Sequence, residues 1–202
     1  MPHQRGLAAH VSPLEIIAAA VGAWSVWLSV RQNILSWPTA IVNVVLYTIV
    51  FYEAKLYADM GLQVIYAVLS IYGWYQWLYG GEGHTTLHVS RTRRALAVSL
   101  ALIAATGSVL LGFLLHRTTD AALPFMDSAL TSASLVAQWM MTKKLLENWA
   151  VWISVDVLYV GMFIYKGLYV TAVLYAVFLC LAVKGWIDWR DSMRSSTVLA
   201  AT

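Results

Sequence analysis

Trp149, Trp152, Asp156, Tyr159 and Phe163 recur at intervals of three and four residues, so on a helix they share one continuous face. Asp156 is the only charged residue between positions 148 and 165, and it falls near the middle of that apolar run. Inside a bilayer a carboxylate at such a depth costs about 2.5–3.5 kcal/mol even on the lenient insertion scale. A side chain that carries this cost faces the protein interior or a watery cavity. Flat rings flanking one carboxylate suit a planar heteroaromatic ligand, above all a cationic one, through stacking and cation–π attraction. The carboxylate would complement positive charge or accept hydrogen bonds from sugar hydroxyls. The alternative is an Asp156 that is protonated, or bonded to a neighbouring helix for structure alone.

Other polar side chains fall on comparable faces. Trp37, Ala40, Val44, Tyr47 and Phe51 form a related stripe, with Asn43 beside it at nearly the depth of Asp156. Gln138 follows Ser134 and Thr131 at helical spacing, and Gln63, Tyr66 and Ser70 lead into Gly73, Trp74, Gln76 and Trp77. A lone amide in a span is ordinarily a helix–helix hydrogen bond; as a set with aromatic neighbours these residues line a wet pocket. Tryptophan and tyrosine also gather at membrane interfaces. Trp37, Trp77, Tyr79, Trp186 and Trp189 lie near expected helix ends and read mostly as such anchors. Trp24, Tyr66, Trp152, Tyr159 and Tyr175 lie deeper, where an interfacial belt is no explanation.

These faces require membrane-spanning elements to hold them. The chain has 202 residues, 60% of them apolar and only 11% charged, against roughly 45–50% and 25% in soluble domains. A chain this short cannot hide so much apolar surface in its own interior. Runs long enough to cross a bilayer fall at about 14–31, 36–53, 60–79, 95–115, 123–142, 148–165 and 168–187, with the polar stretch 80–94 between the third and fourth. The expectation is an all-α membrane protein of seven transmembrane helices in a single domain. Arg5, Lys55, Arg117 and Lys166 fall on one side; Arg31, Arg91, Arg93, Arg94, Lys143, Lys144, Lys184, Arg190 and Arg194 fall on the other. The positive-inside rule then places the C-terminus in the cytoplasm and the N-terminus outside. The N-terminal residues lack the pattern of a cleavable signal peptide.

An internal echo divides the chain. Offsetting the sequence by 112 residues aligns 27–77 with 139–189, pairing Trp27/Trp139, Trp37/Trp149, Tyr47/Tyr159, Tyr57/Tyr169, Gly73/Gly185, Trp74/Trp186 and Trp77/Trp189. Aliphatic matches are cheap between membrane helices; four tryptophan pairs are not. The reading is two three-helix repeats, about 14–79 and 123–189, joined by a linker helix at about 95–115. Spans one and five are four crossings apart, so the repeats are parallel. Such repeats occur in transporters, with the substrate site near midplane between the halves.

Several chemistries are absent from the sequence. There is no phosphate-binding GxxxxGK[ST] loop, no HExxH, no GxSxG and no Cys/His cluster at metal spacing. Cys180 is the only cysteine, which leaves no intramolecular disulfide. His84 and His88 sit in the polar loop and read as solvated. The net charge of +3 lies in short clusters between apolar runs, a membrane pattern and not a nucleic-acid footprint. One intramembrane carboxylate favours passive movement over a driven pump, which buries several ionisable groups. No cofactor or metal is expected. An intramembrane enzyme or a receptor-like signalling subunit is the rival class; neither a catalytic dyad at one depth nor a soluble output domain is in the sequence.

The stretch from Leu145 to Trp186, with its GluAsnTrp-x-x-Trp entry, and the earlier SerIleTyrGlyTrpTyrGlnTrp at 70–77 resemble the Pnu-type vitamin transporters over roughly residues 14–190. The resemblance is greatest to the members that carry nicotinamide riboside. It implies a fold related to the SWEET sugar transporters, a homotrimer in the bacterial inner membrane, and facilitated diffusion of an unphosphorylated vitamin that cytoplasmic phosphorylation then traps. It also implies substrate contacts from Asn148, Trp149, Trp152 and Asp156, with Trp74 and Gln76. Tyr75 departs from the tryptophan common in relatives, which leaves thiamine or riboflavin as alternative substrates. The combined expectation is a transporter, not an enzyme, whose site draws on Asn43, Tyr66, Trp74, Gln76, Gln138, Asn148, Trp149, Trp152, Asp156 and Tyr159.

Overall fold

The computed structural model describes residues 13–53, 57–119, 123–165, 167 and 169–199. Arg5, Lys55 and Lys166, which entered the charge argument, lie outside the described residues. Seven α-helices follow one another: α1 Pro13–Val30, α2 Ser36–Glu53, α3 Tyr57–Tyr79, α4 Arg94–Thr118, α5 Pro124–Thr142, α6 Asn148–Tyr165 and α7 Tyr169–Leu199. Proline opens or closely follows the start of α1, α2 and α5, where its missing N–H is not needed and its fixed φ suits the first turn. By length and composition α1, α4, α6 and the segment Thr171–Ser195 of α7 can each cross a membrane alone. The remaining helices are more polar because they carry residues such as Asn43, Gln63, Ser134 and Gln138. α7 runs twelve residues past its expected end. The apolar run stops near 187, but the Lys184–Asp188 ion pair at i,i+4, 2.8 Å, supports the continuing helix.

The helices pack as two hairpin-connected groups. α1 lies on α2 and α2 on α3; α5 lies on α6 and α6 on α7; α1 meets α7 and α3 meets α5, closing a ring of six. α4 packs on α5 outside that ring. Leu102, Ile103, Leu110, Phe113 and Leu114 of α4 are all exposed, as lipid-facing side chains must be. Gly112 allows α4 to approach, since a Cβ there would strike the Phe125 ring.

The turns after α1 and α5 are built alike. Gln32 and Lys144 adopt left-handed φ of 51° and 47°. Around them, Gln32 N–H donates to Ser29 and Asn33 N–H to Leu28, while Lys144 N–H donates to Met141 and Leu145 N–H to Met140. Each is the Schellman ending of a helix, made here without glycine.

The core sits at this end. Trp37, Trp77, Trp189 and Trp149 form a chain of edge-to-face contacts, with centroid separations of 5.3, 5.9 and 5.3 Å. The Trp77 indole donates to the Met141 carbonyl at 3.0 Å, and the Trp189 indole to the Ser29 carbonyl at 3.1 Å. Gly73 lies against the Trp37 ring and Gly185 against the Trp149 ring, so closely that no Cβ fits at either glycine. This corrects the interfacial assignment of three tryptophans. Trp37, Trp77 and Trp189 are buried against partner helices. Trp24, expected to lie inside, is 56% exposed and stacks on Trp27.

The segment after α3 is docked, not freely solvated. Leu87 N–H donates to the Trp77 carbonyl, Ser90 N–H to Lys144, and Leu146 N–H back to Ser90. The Glu147 carboxylate accepts from both the backbone and the hydroxyl of Thr92 at 2.8 and 2.7 Å. Val89 is buried in the tryptophan core, whereas His84 and His88 are exposed as expected.

Candidate functional site

Above the tryptophans lies a cavity of about 760 Å³, walled by every helix except α4. Its floor is Ser29, Ser36, Trp37, Met141, Trp149 and Ala182; it extends past Asp156 to Glu15, Phe51, Phe163 and Thr171 at the far helix ends. The polar face anticipated on α6 points into this space. Trp152, Asp156, Tyr159 and Phe163 all line it, because their spacing keeps them on one side of the helix. Asp156 is only 4% exposed and has no hydrogen-bond partner among the described residues.

Around Asp156 the walls are amides and hydroxyls set among rings. α5 contributes Ser134 and Gln138. Tyr159 stacks on Phe163, and both rings contact Tyr175 of α7 at 4.7 and 5.0 Å. α3 adds Gln63, Tyr66 and Ser70. α2 adds Ala40, Asn43, Val44 and Tyr47. Asn43 spends its Nδ2 donor on the Ala18 carbonyl at 2.6 Å, so part of its role is to join α1 to α2. Among the described lining residues the only charged types are Glu15 and Asp156; no lysine, arginine or histidine is present.

Asn43, Tyr66, Gln138, Trp149, Trp152, Asp156 and Tyr159 are thus brought together. Three other candidates are not. Trp74 is 38% exposed on the outside of α3. Gln76 lies against Gly80 at the end of that helix, away from the cavity. Asn148 is fully buried below the floor and donates to the Leu145 carbonyl at 2.6 Å, which orders the start of α6. Trp74 is one position from Gly73, which faces inward against Trp37, and so is turned about 100° away around the helix. Gln76 shares the inward side more nearly but lies a turn further on, past the end of the cavity. Trp37, Ser70 and Tyr175 line the cavity without having been singled out as site residues, although their stripes at helical spacing carried the signal.

The sequence profile of the family described as nicotinamide mononucleotide transporter matches residues 12–191. The chain belongs to this family, the Pnu-type vitamin transporters. It is 27% identical over 209 residues to the nicotinamide riboside transporter PnuC of Escherichia coli strain K12, covering 91% of this chain and 87% of that protein. It is 29% identical to PnuC of Neisseria mucosa over 194 residues, 90% and 73% of the two chains. It is 25% identical to the riboflavin/roseoflavin transporter RibM of Streptomyces davaonensis, with 91% and 89% covered. A crystal structure of the vitamin B3 transporter PnuC shares the fold with a TM-score of 0.71 at 24% identity, over 90% of this chain and 82% of that one. The protein is therefore a multi-pass, all-α membrane transporter of the PnuC-like kind.

Proposed function

We propose that the protein is a facilitated-diffusion importer of nicotinamide riboside in the bacterial inner membrane. The observation that carries this reading is the character of the cavity: aromatic walls and a buried Asp156, with no basic side chain among its described lining. Nicotinamide riboside is a flat pyridinium cation bearing sugar hydroxyls. Trp152 and Tyr159 would stack on its ring, Asp156 would balance its charge, and Gln138, Asn43 and Tyr66 would meet its amide and ribose. Trp149 supports the floor of the site.

The family description names a mononucleotide, but a phosphomonoester carries about −1.5 to −2 charge near pH 7. The two carboxylates of this cavity would repel it, and no cation among the described lining residues would pair with it. The same chemistry makes trapping workable: once phosphorylated in the cytoplasm, the vitamin no longer fits the cavity it came through. The positive-inside rule supports an N-terminus outside and a C-terminus in the cytoplasm, so the floor would be the cytoplasmic gate. The homotrimer rests on the resemblance to the family.

The reciprocal contacts at the floor support a 3+1+3 parallel repeat. Trp77 bonds Met141 while Trp189 bonds Ser29, and each of these residues lies 112 positions from its counterpart. Transport would follow from rocking of α1–α3 against α5–α7 about the cavity.

Riboflavin is the second reading, favoured by the likeness to RibM and by a cavity volume large enough for its three-ring system. Binding to purified protein decides among these. Nicotinamide riboside should bind, nicotinamide mononucleotide should bind about 100-fold more weakly or worse, and thiamine and riboflavin should fail to compete. Tighter binding of riboflavin or of the mononucleotide would overturn the assignment.

A further inference from the structure

Lys144 occupies an unusual position for a cation. It lies in the turn between α5 and α6 and is only 7% exposed. Its ammonium sits 4.4 Å above the Trp77 ring centroid and 3.5 Å from the Gln32 side-chain oxygen. Gln32 is the residue 112 positions earlier, in the matching turn between α1 and α2, so Lys144 bridges the two helix groups where the floor closes. No carboxylate pairs with it among the described residues. Glu147, three residues on, is engaged by Thr92. Trp77 already uses its indole N–H on Met141, which leaves only the ring face to Lys144.

We propose that Lys144 is a positioning residue for transport, a cation enclosed by the closed floor without a counter-ion, whose rehydration favours opening at that end. The proposal rests on the alternating-access reading above. Its physical basis is that one ring face and one long amide contact return less than an ammonium loses on leaving water. Burial accordingly pushes Lys144 down from the ordinary lysine value of 10.5 to about 8. Other floor groups are under-satisfied as well: Trp37 Nε1, Trp149 Nε1, Ser36 Oγ and Asn148 Oδ1 are buried and find no hydrogen-bond partner among the described residues. A closed floor with these deficits is held by packing against a polar cost, which keeps it from being a dead end.

The test measures opening without any vitamin, so it is independent of the substrate assignment. In a Cys180→Ser background, Ser36→Cys places a thiol in the floor, and a membrane-impermeant maleimide is applied to the cytoplasmic face of inside-out vesicles. Lys144→Met should lower the labelling rate by about three- to tenfold, because the floor closes more favourably. Lys144→Arg, which keeps the charge, should label within about twofold of the parent. Should Lys144→Met not reach the membrane, Gln32→Glu supplies the missing counter-ion and should lower labelling likewise. Unchanged or faster labelling in the first of these variants that inserts would overturn the proposal, faster labelling marking Lys144 as a latch instead. If labelling falls as expected while nicotinamide riboside does not bind the parent protein, the substrate reading alone has failed.

Discussion

The two helix groups are alike at the floor and unlike along the cavity wall. At the floor, Trp37, Gly73 and Trp77 are matched 112 residues later by Trp149, Gly185 and Trp189, residue for residue and contact for contact. Higher in the cavity the match is only partial: Tyr47 and Phe51 still answer Tyr159 and Phe163, but other lining positions differ. Trp152, Asp156, Gln138 and Ser134 of the second group stand opposite Ala40, Val44, Val26 and Gly22 at the corresponding positions of the first. Indoles that pack on glycines and cap the partner's carbonyls serve both groups equally, so the floor tolerates symmetry. A ligand with a ring at one end and a sugar at the other does not. The wall that differs is the wall that would recognise it.

Four experiments break or sharpen this comparison. Asp156→Ala should lower uptake of the vitamin by about 100-fold, given what a lost charged hydrogen bond costs, while the protein still inserts and elutes as a single species. Normal uptake would remove Asp156 from the site. Trp152→Ala should weaken binding by about tenfold, at the upper end of what one stacking contact supplies. Ala40→Trp, which copies Trp152 onto the other wall, should also impair binding by filling the cavity, and isothermal titration would read both. Gly73→Ala and Gly185→Ala should each destabilise the protein by about 1–3 kcal/mol. The two losses should be of similar size in a thermal-shift or denaturant series; a large loss at only one would deny the floor its equivalence. Trp74→Ala and Gln76→Ala should change binding by less than about twofold, as side chains outside the cavity. A large effect there would restore the assignment drawn from the family resemblance.

The seven helices were legible because apolar runs are cut by polar breaks, such as ArgGlnAsn at 31–33 and LysLys at 143–144. The inward face of α6 was legible because a mid-span carboxylate fixes which side of its helix must avoid lipid. The fate of the end tryptophans was not. A tryptophan near a helix end has the same sequence address whether it faces headgroups or a neighbouring helix. The signal that separates Trp77 and Trp189 from true anchors is the glycine four residues before each, which makes room for an indole from another helix. Trp24 fails for the mirror reason: depth was readable, but direction around α1 was not, since that helix is apolar on nearly every side. Trp74 and Gln76 share a motif with Gly73 and Trp77, and a motif does not say which of its members point inward.

The docked segment after α3 has a mechanical consequence. Leu87 is tied to the end of α3 and Ser90 to the turn entering α6, so three peptide steps connect elements that must separate if that end opens. Fully stretched, they span only about 11 Å. Unless one of its backbone bonds lets go first, this short leash sets the travel of the swing, and lengthening it should widen the stroke without touching a single residue that meets cargo.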